Sequence, residues 1–354
     1  MKKKVYIRSA SIISPQDTFG QDARLDIPAV HEGSRMNVLE PDYKLILDPK
    51  SIRRMSRIIR MGTAAALECM SNSGVTMPDA IITGTAYGCL EDTIIFLNKM
   101  VENKEVMLTP TAFIQSTHNS VGAQIALSFK CQGYNNTFVH RGLSFEQALL
   151  DAMLLIEEGE ASNVLVGGID EITDTSHAIL SRFGLYRRSA QSELLIERPG
   201  KGTMAGEGAG FFLLSSESSA ADLAVIDHLS MKFDPDGKLN IPQWINEVLA
   251  DLQMTMSDID LFILGLNGDL KSDSVYGSVR TAIGDSTAIA YFKHLCGEYP
   301  TASAFGLWLA ASSLKNKRVP FSTDNFHQLN TSGRVLMYNS ASNGHHSLML
   351  LSAC

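Results

Sequence analysis

The sequence predicts a layered α/β protein built from two related halves, and three observations support this prediction. Strand-like and helix-like segments alternate from one end of the 354 residues to the other, which is typical of sheets covered by helices. Hydrophobic residues make up 45% of the chain, so it can bury a large core and is neither disordered nor fibrous. Two pairs of segments also repeat along the chain, which favours a duplicated half.

The N-terminal half is expected to begin with a strand and to continue into a helix. Val5–Ile7 is predicted as the first strand, because the lysines before it are not followed by the apolar stretch of a signal peptide. The stretch Met55–Met70 has helical apolar spacing, and Gly74 is expected to end that helix. The apolar run Ala80–Thr83 predicts a strand that ends at Gly84.

A similar order of segments recurs in the C-terminal half. The helical stretch Trp244–Leu252 is followed by Met254–Leu266, whose Thr-Met pair, Asp, apolar strand and Gly repeat the order found in Val75–Thr85. The segments Gly208–Ser216 and His345–Ala353 each place a final apolar strand at the end of a half. Together these similarities indicate a duplicated unit.

The polar stretch Ser216–Ala221 is the expected boundary between the halves. It divides the chain into an N-terminal half, residues 1–217, and a C-terminal half, residues 218–354. The longest apolar stretch, Ser303–Leu314, is too short and too mixed in composition to span a bilayer. We therefore expect a buried core helix there and no membrane span.

Charge and cysteine content limit the possible partners and cofactors. The chain has 30 Lys and Arg against 38 Asp and Glu, a formal net charge of −8, which disfavours binding to a nucleic acid backbone. Its five cysteines lack CxxC spacing, which argues against a disulfide framework and a thiolate zinc site and fits the reducing cytoplasm. We expect a cytoplasmic protein with no metal and no cofactor.

The densest signal lies at a predicted strand, turn and helix. A strand over Thr137–His140 is expected to turn sharply at Arg141 and Gly142 into a helix. Ser144 and Gln147 have the spacing of a capping box, which would place the start of the helix directly after the turn. Backbone N–H groups and the helix dipole converge at such a corner, which is where a thiol nucleophile is best activated.

The same segment continues into a second strand. The helix is expected to end at Gly159, and Val164–Val166 predicts the strand that follows it. A turn is predicted at Gly167 and Gly168, because paired glycines commonly mark turns.

Six segments together resemble the β-ketoacyl synthase branch of the thiolase superfamily, over nearly the full length of the chain. The resemblance implies a five-layered α/β/α/β/α fold of two related βαβαβαββ halves, usually dimeric, acting on acyl groups carried by coenzyme A or an acyl carrier protein. The segments are RRMSR (Arg53–Arg57), ITGTAYG (Ile82–Gly88), Thr109–Leu127, IEEGEASNVLVGGIDE (Ile156–Glu171), AGEGAGFFLL (Ala205–Leu214) and Lys293–Leu307.

The resemblance also implies three reactive residues, and the chain departs from the family at each. Gly142 holds the position of the nucleophilic Cys in the family's Cys-x-Ser pattern, of which Ser144 remains. Asn267, in GLNGD, holds the position of the first His. The second His belongs to a Lys-x-x-x-Gly-His motif, which keeps Lys293 and Gly297 but has Glu298 in place of the His.

The lost reaction needs these side chains. Claisen condensation requires a thiolate to take the acyl chain and two imidazoles to donate hydrogen bonds to the thioester oxygen as the enolate forms. Gly142 cannot be acylated, and an ionised Glu298 cannot donate a hydrogen bond. The family's Gly-rich gating loop is also reduced, to Asn339–Ser347. We therefore expect none of these positions to support condensation.

The leading hypothesis is a pseudoenzyme of fatty-acid or polyketide-type biosynthesis, resembling the chain-length factors that pair with active ketosynthases. In this hypothesis the strand over Asn135–His140 pairs across a two-fold axis in a heterodimer or homodimer. Gly142 would leave space for an acyl chain or a partner loop. An acyl carrier protein or acyl coenzyme A would be the other partner.

Two alternatives remain open. One is an acyltransferase or thioesterase whose site has been rebuilt around His140, Ser144 or Glu298. The other is a protein that binds an acyl thioester without turnover. Another thiol, Cys89 or Cys296, would contradict the leading hypothesis if it lay in the site beside a histidine.

Two further groups of residues are weaker candidates. His345 and His346 could suggest a metal, but adjacent residues on a strand point to opposite faces. A cluster of four arginines could contact a phosphopantetheine or an acidic carrier protein, although some of the four could serve structural ion pairs. The cluster consists of Arg53, Arg54, Arg57 and Arg60.

Overall fold

The computed structural model describes residues 3–20, 26–284, 287–321, 333–341 and 344–354, apart from the side chain of Ala112. Within these ranges lie twelve strands and eleven α-helices. The strands are β1 (Val5–Ile13), β2 (Glu32–Gly33), β3 (Ala80–Gly84), β4 (Tyr134–Phe138), β5 (Asn163–Asp170), β6 (Ala190–Gln191), β7 (Gly208–Ser215), β8 (Ala224–Phe233), β9 (Leu261–Leu264), β10 (Ala288–Tyr291), β11 (Arg334–Ala341) and β12 (His345–Ser352). The helices are α1 (Pro49–Ile52), α2 (Arg57–Ser73), α3 (Leu90–Glu102), α4 (Pro110–Gln115), α5 (Ser120–Phe129), α6 (Ser144–Glu158), α7 (Asp174–Arg182), α8 (Ile241–Asp251), α9 (Tyr276–Ile283), α10 (Lys293–Cys296) and α11 (Ser303–Asn316).

The order of the strands repeats between the two halves. The first half runs β4-β3-β5-β7-β1 and the second runs β10-β9-β11-β12-β8. In each half the first three strands of this order are parallel and the last two pair antiparallel. The halves join where Val5–Ile7 of β1 pairs antiparallel with β8. The predicted duplication is therefore confirmed by topology.

Three hydrophobic cores separate five layers. The middle core contains α6 and α11 between strands of both halves. One outer core packs α2 and α5 on the first half, and the other packs α8 and α9 on the second. Successive strand residues serve different cores, since Ile82 belongs to the middle core and Ile81 to the outer one. The predicted α/β/α/β/α arrangement is confirmed, with α11 buried as expected.

Two glycines end their helices as the sequence predicted. Gly74 follows α2 with φ +73°, and Gly159 follows α6 with φ +83°. A residue without Cβ adopts this left-handed conformation at little cost, so the chain can leave each helix towards the next strand.

Two predicted boundaries are wrong. The strand expected over Thr137–His140 is β4, which ends at Phe138. The turn expected at Gly167 and Gly168 is absent, because β5 continues through both residues to Asp170. A Cβ atom on Gly167 would lie 2.4 Å from the ring of Phe211. The glycine pair therefore admits large side chains against the strand, and sheet pairing prevails over the local turn signal.

The position of the boundary between the halves stays a prediction. The division expected at residues 217 and 218 falls in the connection between β7 and β8. Within the described ranges, no helix is long and apolar enough to cross a membrane.

Replacing Gly167 by Ala should destabilise the protein because the added methyl group would collide with Phe211. We expect the free energy of unfolding to fall by about 1–3 kcal/mol. Gly277→Ala is the matched control, since a Cβ on Gly277 in α9 has no atom within 4 Å and alanine favours helix. Urea denaturation of both variants measures the difference, and equal stabilities would contradict the packing described for β5.

Candidate functional site

A tight corner connects β4 to α6. Arg141–Leu143 forms a short 3-10 turn between them, and Arg141 has φ +47°. We call residues 139–144 the β4–α6 corner. The buried Ser144 hydroxyl accepts the His140 backbone N–H at 2.8 Å and donates to the Arg141 carbonyl at 2.9 Å. These two bonds close the turn and hold Gly142 at its tip.

The capping box expected from Ser144 and Gln147 is wrong. Leu143 holds the N-cap position of α6 and makes no side-chain cap, whereas Ser144 is the first residue of the helix. Its hydroxyl is instead engaged by the backbone of the preceding turn. The spacing of a capping box therefore occurs here without its hydrogen bonds.

The space next to Gly142 is filled. A Cβ atom on residue 142 would lie 2.5 Å from the Cβ of Ala341, a distance that real Cβ atoms do not tolerate. Ala341 is the last residue of β11 and so comes from the C-terminal half. The expectation that Gly142 leaves space for an acyl chain or a partner loop is therefore wrong.

The other two substituted positions are bonded to each other. The Nδ2 atom of Asn267 donates to Oε2 of Glu298 at 2.7 Å. The ammonium group of Lys293 lies 2.9 Å from the same carboxylate oxygen and 3.1 Å from Oε1. Lys293 is 1% exposed and Glu298 is 23% exposed. We call these three residues the polar triad.

Asn267 is held in place by surrounding backbone and side-chain bonds. The carboxylate of Asp273 accepts the backbone N–H groups of Asn267 and Gly268, at 2.9 and 2.7 Å. The Thr203 hydroxyl donates to the Asn267 carbonyl at 2.5 Å. The Asp269 N–H donates to Oδ1 of Asn267 at 2.9 Å, which orients the amide with its Nδ2 towards Glu298.

The backbone of Glu298 is hydrogen-bonded to the N-terminal half. Its N–H donates to the carbonyl of Met204, and its carbonyl accepts the N–H of Gly206, both at 2.9 Å. A Cβ atom on Gly206 would lie 2.1 Å from the Cys296 carbonyl. Only a glycine lets the two backbones approach this closely.

The structure brings Gly142, Asn267 and Glu298 into one region. Lys293 donates to the carbonyl of Ser340 at 3.3 Å, and Ser340 precedes the Ala341 that packs on Gly142. The hydrogen-bond donors of Asn267 and Lys293 are directed at Glu298 rather than into open space. The arrangement satisfies itself without a substrate, which does not suit a site that must stabilise a developing oxyanion.

Glu146 is a buried acid that the sequence analysis missed. It lies in the first turn of α6, is fully buried, and accepts the Ser347 hydroxyl at 2.9 Å. Burial raises the pKa of Glu146, and the charge of Lys293 opposes that shift. An acidic residue on the helix face that also carries Leu149 and Met153 was the signal that could have revealed it.

A second missed acid links the halves. Asp170 ends β5 and accepts the hydroxyls of Thr85 and Thr301, at 3.0 and 2.9 Å, and the Ala86 N–H at 2.9 Å. Burial raises its pKa to about 6, and these hydrogen bonds oppose the shift. Thr301 lies three residues after Glu298, so Asp170 anchors the loop that carries Glu298.

His140 and Ser144 meet through the backbone rather than as a nucleophile and base. Ser144 is bonded to the N–H of His140 and not to its imidazole. That ring instead contacts the ring of His345, with centroids 5.1 Å apart. His346 is buried, and its Nδ1 bonds the Tyr338 hydroxyl at 2.9 Å. The two adjacent histidines thus have different surroundings, as their alternation on a strand predicted.

The two candidate thiols are not activated. Cys89 and Cys296 are both buried. Burial raises the pKa of Cys89 to about 12 and also raises the pKa of Cys296. The Cys296 Sγ lies 3.4 Å from the Gly297 carbonyl. Neither environment favours the thiolate that a nucleophile requires.

The arginine cluster divides into structural and exposed members. Arg57 makes two hydrogen bonds to Glu207, at 2.6 and 2.7 Å, and pairs with Glu40 at 2.6 Å. The guanidinium of Arg60 lies over the Tyr43 ring, 5.8 Å from its centroid. Two arginines are exposed, namely Arg53 and Arg54.

Comparisons with known proteins agree with this architecture. A model described as Beta-ketoacyl synthase, N-terminal domain matches residues 21–220. Among curated proteins none matches the chain. The solved structure of the ishigamide ketosynthase/chain length factor superposes with a TM-score of 0.81 at 19% identity, over the full length of both chains. The structure of a Beta-ketoacyl synthase from Burkholderia phymatum STM815 superposes with a TM-score of 0.78 at 15% identity. The superposition covers 99% of this chain and 100% of that one. The structure of a type II PKS acyl-carrier protein in complex with its ketosynthase, AntDE:AntF, superposes with a TM-score of 0.74 at 16% sequence identity. The superposition covers 99% of this chain and 100% of that one.

Restoring a cysteine at residue 142 should not restore a nucleophile. We expect Gly142→Cys to lower the free energy of unfolding by about 1–3 kcal/mol, because its Cβ collides with Ala341. Adding Ala341→Gly should recover part of that loss, and Ala341→Gly alone is the control. Thermal unfolding measures stability, and mass spectrometry after incubation with acyl coenzyme A detects acylation. A Gly142→Cys variant that is as stable as the wild type and becomes acylated would contradict the filled corner.

The ion pair of the polar triad should show strong coupling. Glu298→Ala leaves the buried ammonium of Lys293 without its carboxylate, which should cost on the order of 3 kcal/mol of unfolding free energy. The double variant Glu298→Ala/Lys293→Met should lose less than the single variant, because no buried charge remains. Urea denaturation of Glu298→Ala, Lys293→Met and the double variant completes the double-mutant cycle. Strictly additive costs would show that the pair is not coupled.

Proposed function

The chain belongs to the β-ketoacyl synthase family, and from this premise we propose that it is a non-condensing subunit that pairs with an active ketosynthase. One observation carries the proposal: the fold is retained while the nucleophile position is a glycine covered by Ala341. Without a side chain there, the acyl group has no attachment point, so the first step of condensation cannot occur on this chain.

The polar triad supports the same proposal. A condensing site keeps hydrogen-bond donors directed at the oxygen where negative charge develops. Here Asn267 and Lys293 donate to the carboxylate of Glu298, and that carboxylate would repel an enolate. The triad is therefore better suited to fixing Glu298 and Asn267, whose backbones bond Gly206 and Thr203 of the N-terminal half, than to catalysis.

The edge of the sheet provides a surface for a partner subunit. β4 ends the described sheet and pairs there with β3 alone. The helix α5 packs on β4. Leu127 of α5 is 73% exposed and Tyr134 of β4 is 45% exposed. An apolar face beside an open strand edge is costly in water, so we propose that a ketosynthase subunit covers it across a pseudo-two-fold axis.

Two structural neighbours suggest the context of this role. One is called a ketosynthase/chain length factor, and the other is an acyl-carrier protein in complex with its ketosynthase bound to the hexaketide. We propose by analogy that the pair formed by this chain receives its acyl groups from a carrier protein. The exposed Arg53 and Arg54 would contact the acidic surface or phosphate of that carrier.

Mixing this chain with a ketosynthase that has an intact Cys-His-His set should give a stable heterodimer. Leu127→Glu should weaken it at least tenfold, because a charge would be buried in the apolar face. Leu270→Glu is the matched control, since Leu270 is 61% exposed but lies in the C-terminal half, between β9 and β10.

Analytical ultracentrifugation measures the dissociation constant, and mass spectrometry of the products reports the chain length. We expect the heterodimer to change the product length relative to the ketosynthase alone. A chain that remains a homodimer and leaves the products unchanged would contradict the proposal.

A further inference from the structure

Three groups that can react with one another meet in the polar triad. The Nδ2 atom of Asn267 and the ammonium group of Lys293 lie 2.7 and 2.9 Å from the same Oε2 atom of Glu298. Asn267 is 6% exposed and Lys293 is 1% exposed. A primary amide and an amine are thus held together in a buried place, with a carboxyl group bonded to both. These are the reactants and the proton carrier of an aminolysis, in which an amine displaces ammonia from an amide.

Glu298 is placed to move the protons that such a reaction transfers. Its Oε1 and Oε2 atoms lie 3.1 and 2.9 Å from Nζ of Lys293, so it can take a proton from the ammonium and leave a nucleophilic amine. Burial favours this transfer, because it replaces two charged groups by two neutral ones. Oε2 also bonds Nδ2 of Asn267, so the same carboxyl group can protonate the departing nitrogen.

The carbonyl end of the same amide also has a hydrogen-bond donor. The N–H of Asp269 donates to Oδ1 of Asn267 at 2.9 Å. Negative charge develops on this oxygen when an amine adds to the carbonyl carbon, and a fixed backbone donor stabilises that charge. The amide of Asn267 is therefore polarised at its oxygen and bonded to a proton carrier at its nitrogen.

The competing reaction of an Asn-Gly pair is disfavoured at this position. In a flexible chain the backbone nitrogen after an asparagine attacks the side-chain carbon, and the asparagine deamidates. Here the N–H of Gly268 donates to the Asp273 carboxylate at 2.7 Å, and the N–H of Asn267 donates to the same carboxylate at 2.9 Å. Because these bonds fix the backbone, the amine of Lys293 is the nucleophile with the better access to the amide.

We propose that Lys293 and Asn267 become joined by an amide bond within the folded chain. Nζ gives one proton to Glu298 and adds to Cγ of Asn267, which it reaches because the lysine stem is flexible. Glu298 passes that proton to Nδ2 and takes a second one from Nζ. The Cγ–Nδ2 bond breaks and ammonia leaves, so one amide replaces another and neither an oxidant nor a reductant is needed.

The new bond cross-links the outer edge of the second half. Asn267 follows β9 and Lys293 begins α10, and the chain between them includes α9 and β10. β10 ends the described sheet and pairs there with β9 alone. A cross-link that closes this loop restricts the unfolded chain and so stabilises that edge. The modification goes beyond the proposed non-condensing role and does not depend on it.

Mass spectrometry of the wild-type chain tests the proposal directly. We expect the intact mass to fall by one ammonia during incubation near neutral pH, and a tryptic digest to contain a branched peptide that joins Asn267 to Lys293. The same chain kept in urea should retain its full mass, because unfolding separates the three groups. An unchanged mass in the folded chain, an ammonia loss that maps to other residues, or deamidation of Asn267 in place of the cross-link would overturn the proposal.

Two variants assign the roles of the reacting groups. Lys293→Arg keeps a cation but removes the amine, so it should retain the full mass. Glu298→Gln keeps the size of the side chain but cannot take up the proton, so it should slow the loss of ammonia at least about a hundredfold. Lys238→Arg is the matched control, since Lys238 is exposed and pairs with Asp236, and it should react like the wild type.

Circular dichroism shows whether each variant is folded before the masses are compared. Ammonia loss that persists in Lys293→Arg would contradict the role of the amine. An unchanged rate in folded Glu298→Gln would contradict the role of the carboxyl group as the proton carrier.

Discussion

A buried ammonium group must be neutralised, and the ion pair between Lys293 and Glu298 is the interaction on which the rest of the site depends. Lys293 is 1% exposed, so an unpaired charge there would cost far more than one bond contributes. Glu298 supplies that partner. Asn267 donates to the same carboxylate, so the donors of both side chains are engaged within the protein.

The proposed loss of condensing chemistry is compatible with the retained fold because the two depend on different contacts. Stability comes from a middle apolar core shared by both halves and from one outer core on each half. The site lies where the halves meet, with Gly142 from one and Ala341 from the other. Hydrogen bonds between the halves, such as those of Thr301 to Asp170 and of Gly206 to Glu298, hold that junction. The substitution of reactive side chains that we propose would leave these backbone and core contacts in place.

Signals of short range predicted most of the fold, whereas contacts between distant residues escaped prediction. Gly74 and Gly159 end helices for reasons local to the chain, and the repeated segments indicated the duplication. The filling of the space beside Gly142 depends on Ala341, which is far away in sequence. The Gly167-Gly168 pair predicted a turn from local sequence alone. Its actual role, packing against Phe211, depends on a neighbouring strand that local sequence does not reveal. Ser144 has the spacing of a cap, but the backbone of the preceding turn takes its hydroxyl.

Glu146 places a carboxyl group in the buried interior, two residues after the β4–α6 corner. It places a second carboxyl group near Lys293, which already has Glu298 as its partner. One ammonium cannot neutralise two carboxylates, and complete burial raises the pKa of Glu146, which favours its uncharged form. In that form Glu146 still makes a hydrogen bond with Ser347. Charges balanced in this way leave no excess positive potential to offer an enolate, which is the property a condensing site requires.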